Sequence, residues 1–220
     1  MSTTFKPFGL KPVYHPSGLD RAVPFVGTNT FVTGTTFTAP YSLSAGETFY
    51  QYQPVSLTAS GQLTIANQTA ASGTVYGVFD GVEYTTAEGR RTVGKSASKA
   101  TLDAATQIVF WIFADPAIVY EAQVNGSAST GSIGRQYNFD TTTGSRVTDG
   151  YTIGTGGAGF STTALLATPV ATTVQGQVRV VGLGREVAYP TGELNAWGDT
   201  FTIVQVQIAN NTFVAPKVSI

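Results

Sequence analysis

Apolar and polar positions alternate along most of the chain with the two-residue period of strands that bury one face. In VSLTASGQLTI, Val55 and Leu57 alternate with polar neighbours, Ser60-Gly61 supplies a turn, and Leu63 and Ile65 alternate back. That pattern predicts a β-hairpin. VYGVFDGVEYT and QIVFWIFA predict two long strands, the second apolar enough to be buried on both faces. In FTIVQVQIA, Val204, Val206 and Ile208 point one way while Gln205 and Gln207 point the other. QVRVVGLGREVAY predicts a further strand, with Gly182 and Gly184 marking a bulge or a close backbone approach. RQYNFDTTTGSRVTDGY offers another hairpin around Thr142–Gly144, and only SASKATLDAATQ has helical character, a turn or two at most. No repeat of fixed period interrupts this picture. The expected fold is all-β: a sandwich or barrel-like β body with an extended N-terminal arm and little helix.

The first 26 residues break the alternation. Pro7, Pro12, Pro16 and Pro24 recur too often for a helix, and each biases its predecessor toward extended backbone. Phe5 precedes the first of them and Phe8, Leu10, Val13 and Tyr14 lie between them, far more apolar surface than a solvated tail carries. The expectation is an arm over 1–26 that docks on another molecule, with these five residues and His15 as anchors. A fold-back onto its own domain is the competing expectation. Residues 27–220 form the β domain, within which 150–178 carries no charge and is either a mobile loop or a segment shielded by an assembly partner.

Composition narrows the chemistry. Of 220 residues 42% are hydrophobic and only 11% charged, so the chain can build a core but has an unusually uncharged surface. Such a surface points to partial coverage by neighbours. The net charge of −1, with no basic run longer than Arg90-Arg91, disfavours nucleic acid as a partner. With 0 cysteines and 1 histidine, thiolate and multi-histidine metal sites are excluded. The longest apolar run, Ile108 to Ala114, is too short to span a bilayer as a helix, so no membrane partner is expected. The opening MSTTFKPFGL lacks a basic segment followed by an apolar run, and synthesis in a cytoplasm is the expectation.

Several motifs suggest catalysis or ligand binding and fail on context. Gly89, Gly94, Lys95 and Ser96 stand at G-x-x-x-x-G-K-S spacing, the pattern of a phosphate-cradling loop. Such a loop needs a strand ending just before its first glycine and a helix starting at the Lys-Ser pair. Here TTAE intervenes after Tyr84, and the following ASKATLDAATQ is short and Thr-rich. A hairpin with TAEGR as its turn explains the same letters. GLGREV and GTGGAG open no helix, so neither is a dinucleotide fingerprint. Asp80 and Glu83, three apart on a strand, should face opposite ways and not converge as a carboxylate pair. Glu186, Glu193 and Asp199 read as solvated turn charges. His15 sits in the proline-rich arm, a poor place for a serine–histidine triad. Asp140 and Asp149 lack the ligand spacing of a calcium loop. No enzymatic activity, cofactor or metal is expected.

Four segments, in order and over nearly the whole chain, carry a resemblance. They are FGLKPVYHPSG (Phe8 to Gly18), YGVFDGVEYTTAEGRR (Tyr76 to Arg91), FADPAIVYEAQV (Phe113 to Val124) and the final GLGREVAYPTGELNAWGDTFTIVQV. Together they resemble the head-decoration (cement) proteins of tailed bacteriophages, especially the group common in marine and cyanobacterial phages. The chain departs from that group in a longer, Thr-rich stretch from Gly27 to Glu47. The resemblance implies a structural protein on the outer surface of a phage capsid. It would bind and bridge neighbouring major capsid proteins and self-associate as a dimer or trimer. It also implies a hairpin turn, not a nucleotide site, at Gly89–Ser96. The alternative function is a carbohydrate-binding β-sandwich module on a phage exterior. Tyr50, Tyr52, Tyr76 and Trp197 would offer stacking faces there, Trp197 best placed and Trp111 expected in the core.

Overall fold

Strands dominate the chain as the alternation predicts. The computed structural model describes residues 7–16, 18, 21–28, 30–32, 36–66, 73–140, 161–185 and 194–214. In chain order come β1 (Lys11–Tyr14), β2 (Val23–Thr28), β3 (Thr30–Val32), β4 (Thr36–Thr38), β5 (Thr48–Tyr50), β6 (Gln53–Leu57), β7 (Leu63–Ile65), β8 (Gly77–Thr85), β9 (Arg91–Gly94) and β10 (Ser96–Ser98). A short helix, α1 (Lys99–Asp103), precedes β11 (Gln107–Phe113), β12 (Val119–Gln123), β13 (Gln136–Tyr137), β14 (Val178–Leu183) and β15 (Ile203–Ile208). One antiparallel sheet runs β1-β12-β15-β14-β13, and a second runs β2-β11-β8-β6-β7 with β9 also paired to β8. β5 pairs with β10 and β3 with β4 in two small ribbons. The predicted all-β, sandwich-like fold is what forms.

Two cores organise these sheets. The inner face of the five-stranded sheet contributes Tyr120, Ala122, Val178, Val180, Val204 and Val206, covered by Phe139, Leu165 and Val75. The inner face of the six-stranded sheet contributes Val55, Phe79, Val82, Ile108, Phe110 and Ile112, covered by Phe49 of β5, Ala97 of β10 and Leu102 of α1. Phe49 stacks on Phe79 at 5.5 Å and meets Phe110 edge-on at 5.4 Å. Each such buried ring stabilises the fold by about 1.5–3 kcal/mol. β8 and β11 serve both cores: Phe79 and Ile112 enter one, Val78 and Phe113 the other. β11 is therefore less uniformly buried than its letters suggest. Val109 and Trp111 remain half-buried, Trp111 opposite Pro24 and Gly81, so Trp111 is not the core tryptophan expected.

The two predicted hairpins that fall on described residues are present. β6 and β7 pair with Val55 opposite Ile65 and Leu57 opposite Leu63. β8 and β9 are joined by a turn in which the Thr86 amide donates to the Arg90 carbonyl and the Gly89 amide to the Thr86 carbonyl, both at 2.9 Å. The register of β14 against β15 shifts between Val180 and Gly182, as the glycines there predicted. A Cβ on Gly184 would lie 2.7 Å from Ile203 Cγ2, so the close approach is real. The hairpin expected around Thr142–Gly144 lies outside the described residues, as does 150–160 of the uncharged segment. Its remainder is described, and Ser161 to Leu165 are buried in the protein's own body.

The N-terminal segment departs most from expectation. β1 pairs antiparallel with β12, Lys11 opposite Glu121 and Pro12 opposite Tyr120, and so forms one edge of the five-stranded sheet. Proline forbids helix but tolerates an edge strand, where no inward ladder bond is needed from its nitrogen. Leu10 is fully buried among the residues of the first core. Its amide donates to the Tyr52 carbonyl at 2.8 Å. Gly9 makes that approach possible: it holds φ +79, and a Cβ would sit 2.3 Å from the Tyr52 oxygen. Tyr52 itself holds a left-handed φ of 65, a strained backbone at the docking point. The expected arm boundary at residue 26 falls inside β2, which pairs with β11 through Thr28. The apolar side chain at Leu10 thus finds its shelter on its own chain.

A candidate contact groove on the five-stranded sheet

The same alternation that buries Tyr120 and Ala122 turns Val119 and Glu121 of β12 to the outer face of the five-stranded sheet. Register places Lys11 of β1 beside Glu121, and Glu121 beside Gln205 of β15. Val13 and Tyr14 of β1 and Val181 of β14 complete one wall and the rim. Arg185, just past β14, also lines it. The result is an open groove of about 670 Å³. Three of its four apolar side chains are exposed, Tyr14 at 58%, Val181 at 38% and Val13 at 36%, while Val119 is buried. Glu121, by contrast, is only 3% exposed and accepts the Arg185 backbone N–H at 2.6 Å. The carboxylate is therefore held by its own chain, with Lys11 opposite it in the ladder.

Of the six predicted anchors, Phe5 lies outside the described residues. Phe8 is half-buried, and Leu10 is spent in the core. Val13 and Tyr14 are exposed at the groove. His15 turns inward: it is buried, and its Nε2 lies 3.1 Å from Asp115 Oδ2 at the turn between β11 and β12. Asp115 also accepts the Ala117 amide at 2.7 Å. That bond holds its carboxyl below the usual carboxylate range, against a smaller desolvation effect and with help from His15. The structure thus separates the anchors into a sheltered pair, Leu10 and His15, that fixes the segment, and an exposed pair, Val13 and Tyr14, that it presents. Sequence reasoning missed Val181 and Arg185, and the β1-β12-β15-β14 strand order that brings them to the same groove as Tyr14 leaves no local mark in the letters.

The other motifs resolve as structure. Gly89 lies in the β8–β9 turn, Gly94 ends β9, and Lys95 precedes β10, while α1 begins only at Lys99. No helix N-terminus therefore faces the octet. The pairing of β8 with β11 skips Asp80, so Phe79 and Val82, three apart, both reach the second core. Strict alternation therefore breaks between Phe79 and Val82. Asp80 and Glu83 are engaged separately, Asp80 by Gln51 Nε2 at 2.9 Å and Glu83 by Arg91. Asp199 is buried, not solvated, and accepts the Ala196 amide at 3.0 Å to close its own turn. Asp140 is also buried and accepts from Asn125 Nδ2 at 2.6 Å. Glu186, Glu193 and Asp149 lie outside the described residues. Among the described residues no three His, Cys, Asp or Glu side chains converge as a metal site. No helix among them is long and apolar enough to cross a membrane.

The stacking faces considered for sugar binding are also largely committed. Trp197 and Tyr52 pack against the first core, and Tyr76 meets Phe25 at 5.9 Å and Phe213 at 5.6 Å. A scan of protein-family models, a search of curated proteins and a search of solved structures each return no match to the chain.

Proposed function

We propose that the protein is a structural decoration protein that binds the outer surface of a tailed-phage head and bridges neighbouring major capsid proteins. The resemblance of four ordered segments supports this reading, and so does a surface with few charges. The observation that carries it is the distribution of exposed apolar side chains. Val13, Tyr14 and Val181 cluster at the groove on the five-stranded sheet. Val93 stands 73% exposed on β9 of the other sheet, and Phe213 is 67% exposed beyond β15. A bridge needs at least two contact faces, and apolar spots on separate sheets supply them.

The bridging element is then the sheet face and not a free arm. Contacts enriched in Tyr and Arg with a small apolar centre are typical of interface cores. A standard interface buries about 800 Å² per partner. Each contact can be modest, because a subunit that touches several coat proteins, and its own copies in a dimer or trimer, gains effective concentration. Preferential binding to the assembled lattice then shifts the shell toward that state. Incubating the protein with heads of the encoding virus that lack it, followed by a density map of the particle, tests the reading. Regular occupancy across the shell is the expected result. Unoccupied heads, or a few copies at one vertex, would refute it.

A further inference from the structure

We infer that the groove receives an extended peptide segment in which an Asp or Glu is flanked by branched aliphatic side chains. This deepens the decoration reading and rests on it for one point only, that the segment belongs to a coat subunit. Charge is the first argument. Among the described residues lining the groove, Lys11 and Arg185 face one carboxylate, Glu121. Glu121 is nearly inaccessible and already accepts the Arg185 amide. Lys11 stands opposite Glu121 in the β1–β12 ladder, so those two charges offset one another. The charge left for a ligand is the exposed guanidinium of Arg185, whose planar fork suits a carboxylate in two-point contact.

Apolar lining is the second argument. Val13, Val119 and Val181 come from three strands and give the groove aliphatic walls. A sugar laid against them would lose water from its hydroxyls without gaining bonds, at a cost of about 1–3 kcal/mol for each unpaired group. Valine or isoleucine side chains lose nothing polar there and bury apolar area. Tyr14, at the rim, offers a rigid ring, a residue type favoured as an interface anchor. The Gln205 carboxamide can both donate to and accept from a peptide backbone crossing the groove. A volume of about 670 Å³ holds a few side chains, not a folded domain.

Selection from a random peptide library displayed on a surface, against the full-length protein and its Arg185→Glu variant, tests the chemistry without any virus. Wild type is expected to enrich Asp or Glu beside Val, Ile or Leu, and Arg185→Glu to lose that acid or replace it with Lys or Arg. Lys95→Glu makes the same charge change away from the groove and should select as wild type does. Identical enrichment by wild type and Arg185→Glu, or no enrichment by either, overturns the inference. So does selective binding of uronate-bearing glycans in place of peptides. Arg185→Gln provides a second variant if Arg185→Glu melts early. On heads at low salt, Arg185→Glu should bind about tenfold more weakly than wild type, a gap that narrows as salt is raised. Equal binding overturns the groove as the contact but leaves the decoration reading standing. Heads that refuse even wild type overturn that reading and the coat subunit as occupant together.

Discussion

Replacing Leu10 by alanine separates the two fates open to an apolar residue in a proline-rich leader. If Leu10 served a partner, the isolated protein would not notice its loss. The structure buries it completely among Tyr120, Val204 and their neighbours, with its backbone amide on Tyr52. Removing the isobutyl group takes away transfer energy and leaves a cavity that packed valines and aromatics fill only in part. Large-to-small changes of this kind cost about 2–5 kcal/mol, and a site with no exposure belongs near the middle, about 3 kcal/mol. For a chain of this length each kcal/mol lowers the melting temperature by roughly 2–4 °C, giving a fall of roughly 6–12 °C. Urea and thermal unfolding of the isolated protein measure it, with Tyr14→Ala as the comparison. Tyr14 is 58% exposed, so its loss should change stability by no more than about 0.5 kcal/mol. Equal stabilities for Leu10→Ala and wild type would refute the claim that the leader is part of the core.

Three further outcomes follow from particular contacts. Gly9→Ala should cost more in the urea midpoint than Gly18→Ala: both hold positive φ, but only at Gly9 would the new Cβ meet a backbone oxygen, whereas Gly18 faces open space. The shared conformational part is about 1 kcal/mol, and the excess measures the Tyr52 contact. For Asp115, the folded-state pKa lies below the unfolded one, chiefly through the Ala117 amide. Its contribution is therefore full above about pH 4 and is lost as acid titrates through the folded value. Asp115→Asn should flatten the loss of stability measured as pH falls from about 4 to about 2. The effect should be small, because the side chain is half exposed and screened. Finally, ATP or GTP with magnesium should leave the melting curves of wild type and Lys95→Ala unchanged, since no helix begins at Lys95. A nucleotide-dependent rise lost in Lys95→Ala would restore the phosphate site.

Local pattern carried much of the fold. Ser60-Gly61 between two alternating runs yields β6–β7, and the polar TAEGR between GVEYT and RTVG yields β8–β9, because turn geometry and side-chain period act within a dozen residues. The same logic made the P-loop spacing recognisable as a turn. It failed where one residue shifts the register: the skip at Asp80 sends Phe79 and Val82 to one core, and periodicity alone does not announce it. It failed again for Asp199, whose carboxylate is buried because the Ala196 amide satisfies it.

Of the candidate groove, the letters supplied Val13 and Tyr14 as apolar residues with no place in a helix. Val181 and Arg185 came only with the sheet. Prolines and alternation by themselves determined that the leader is extended, that the body is β, and where its short hairpins turn, since each depends on backbone sterics and near neighbours. Tertiary structure alone decided which surface the leader covers. β1 takes the side of β12 that β15 does not, and Leu10 joins the first core; Pro12 at the sheet edge and Gly9 against Tyr52 permit both. That pairing joins residues more than a hundred positions apart, and its free energy comes from contacts that no short stretch of sequence contains.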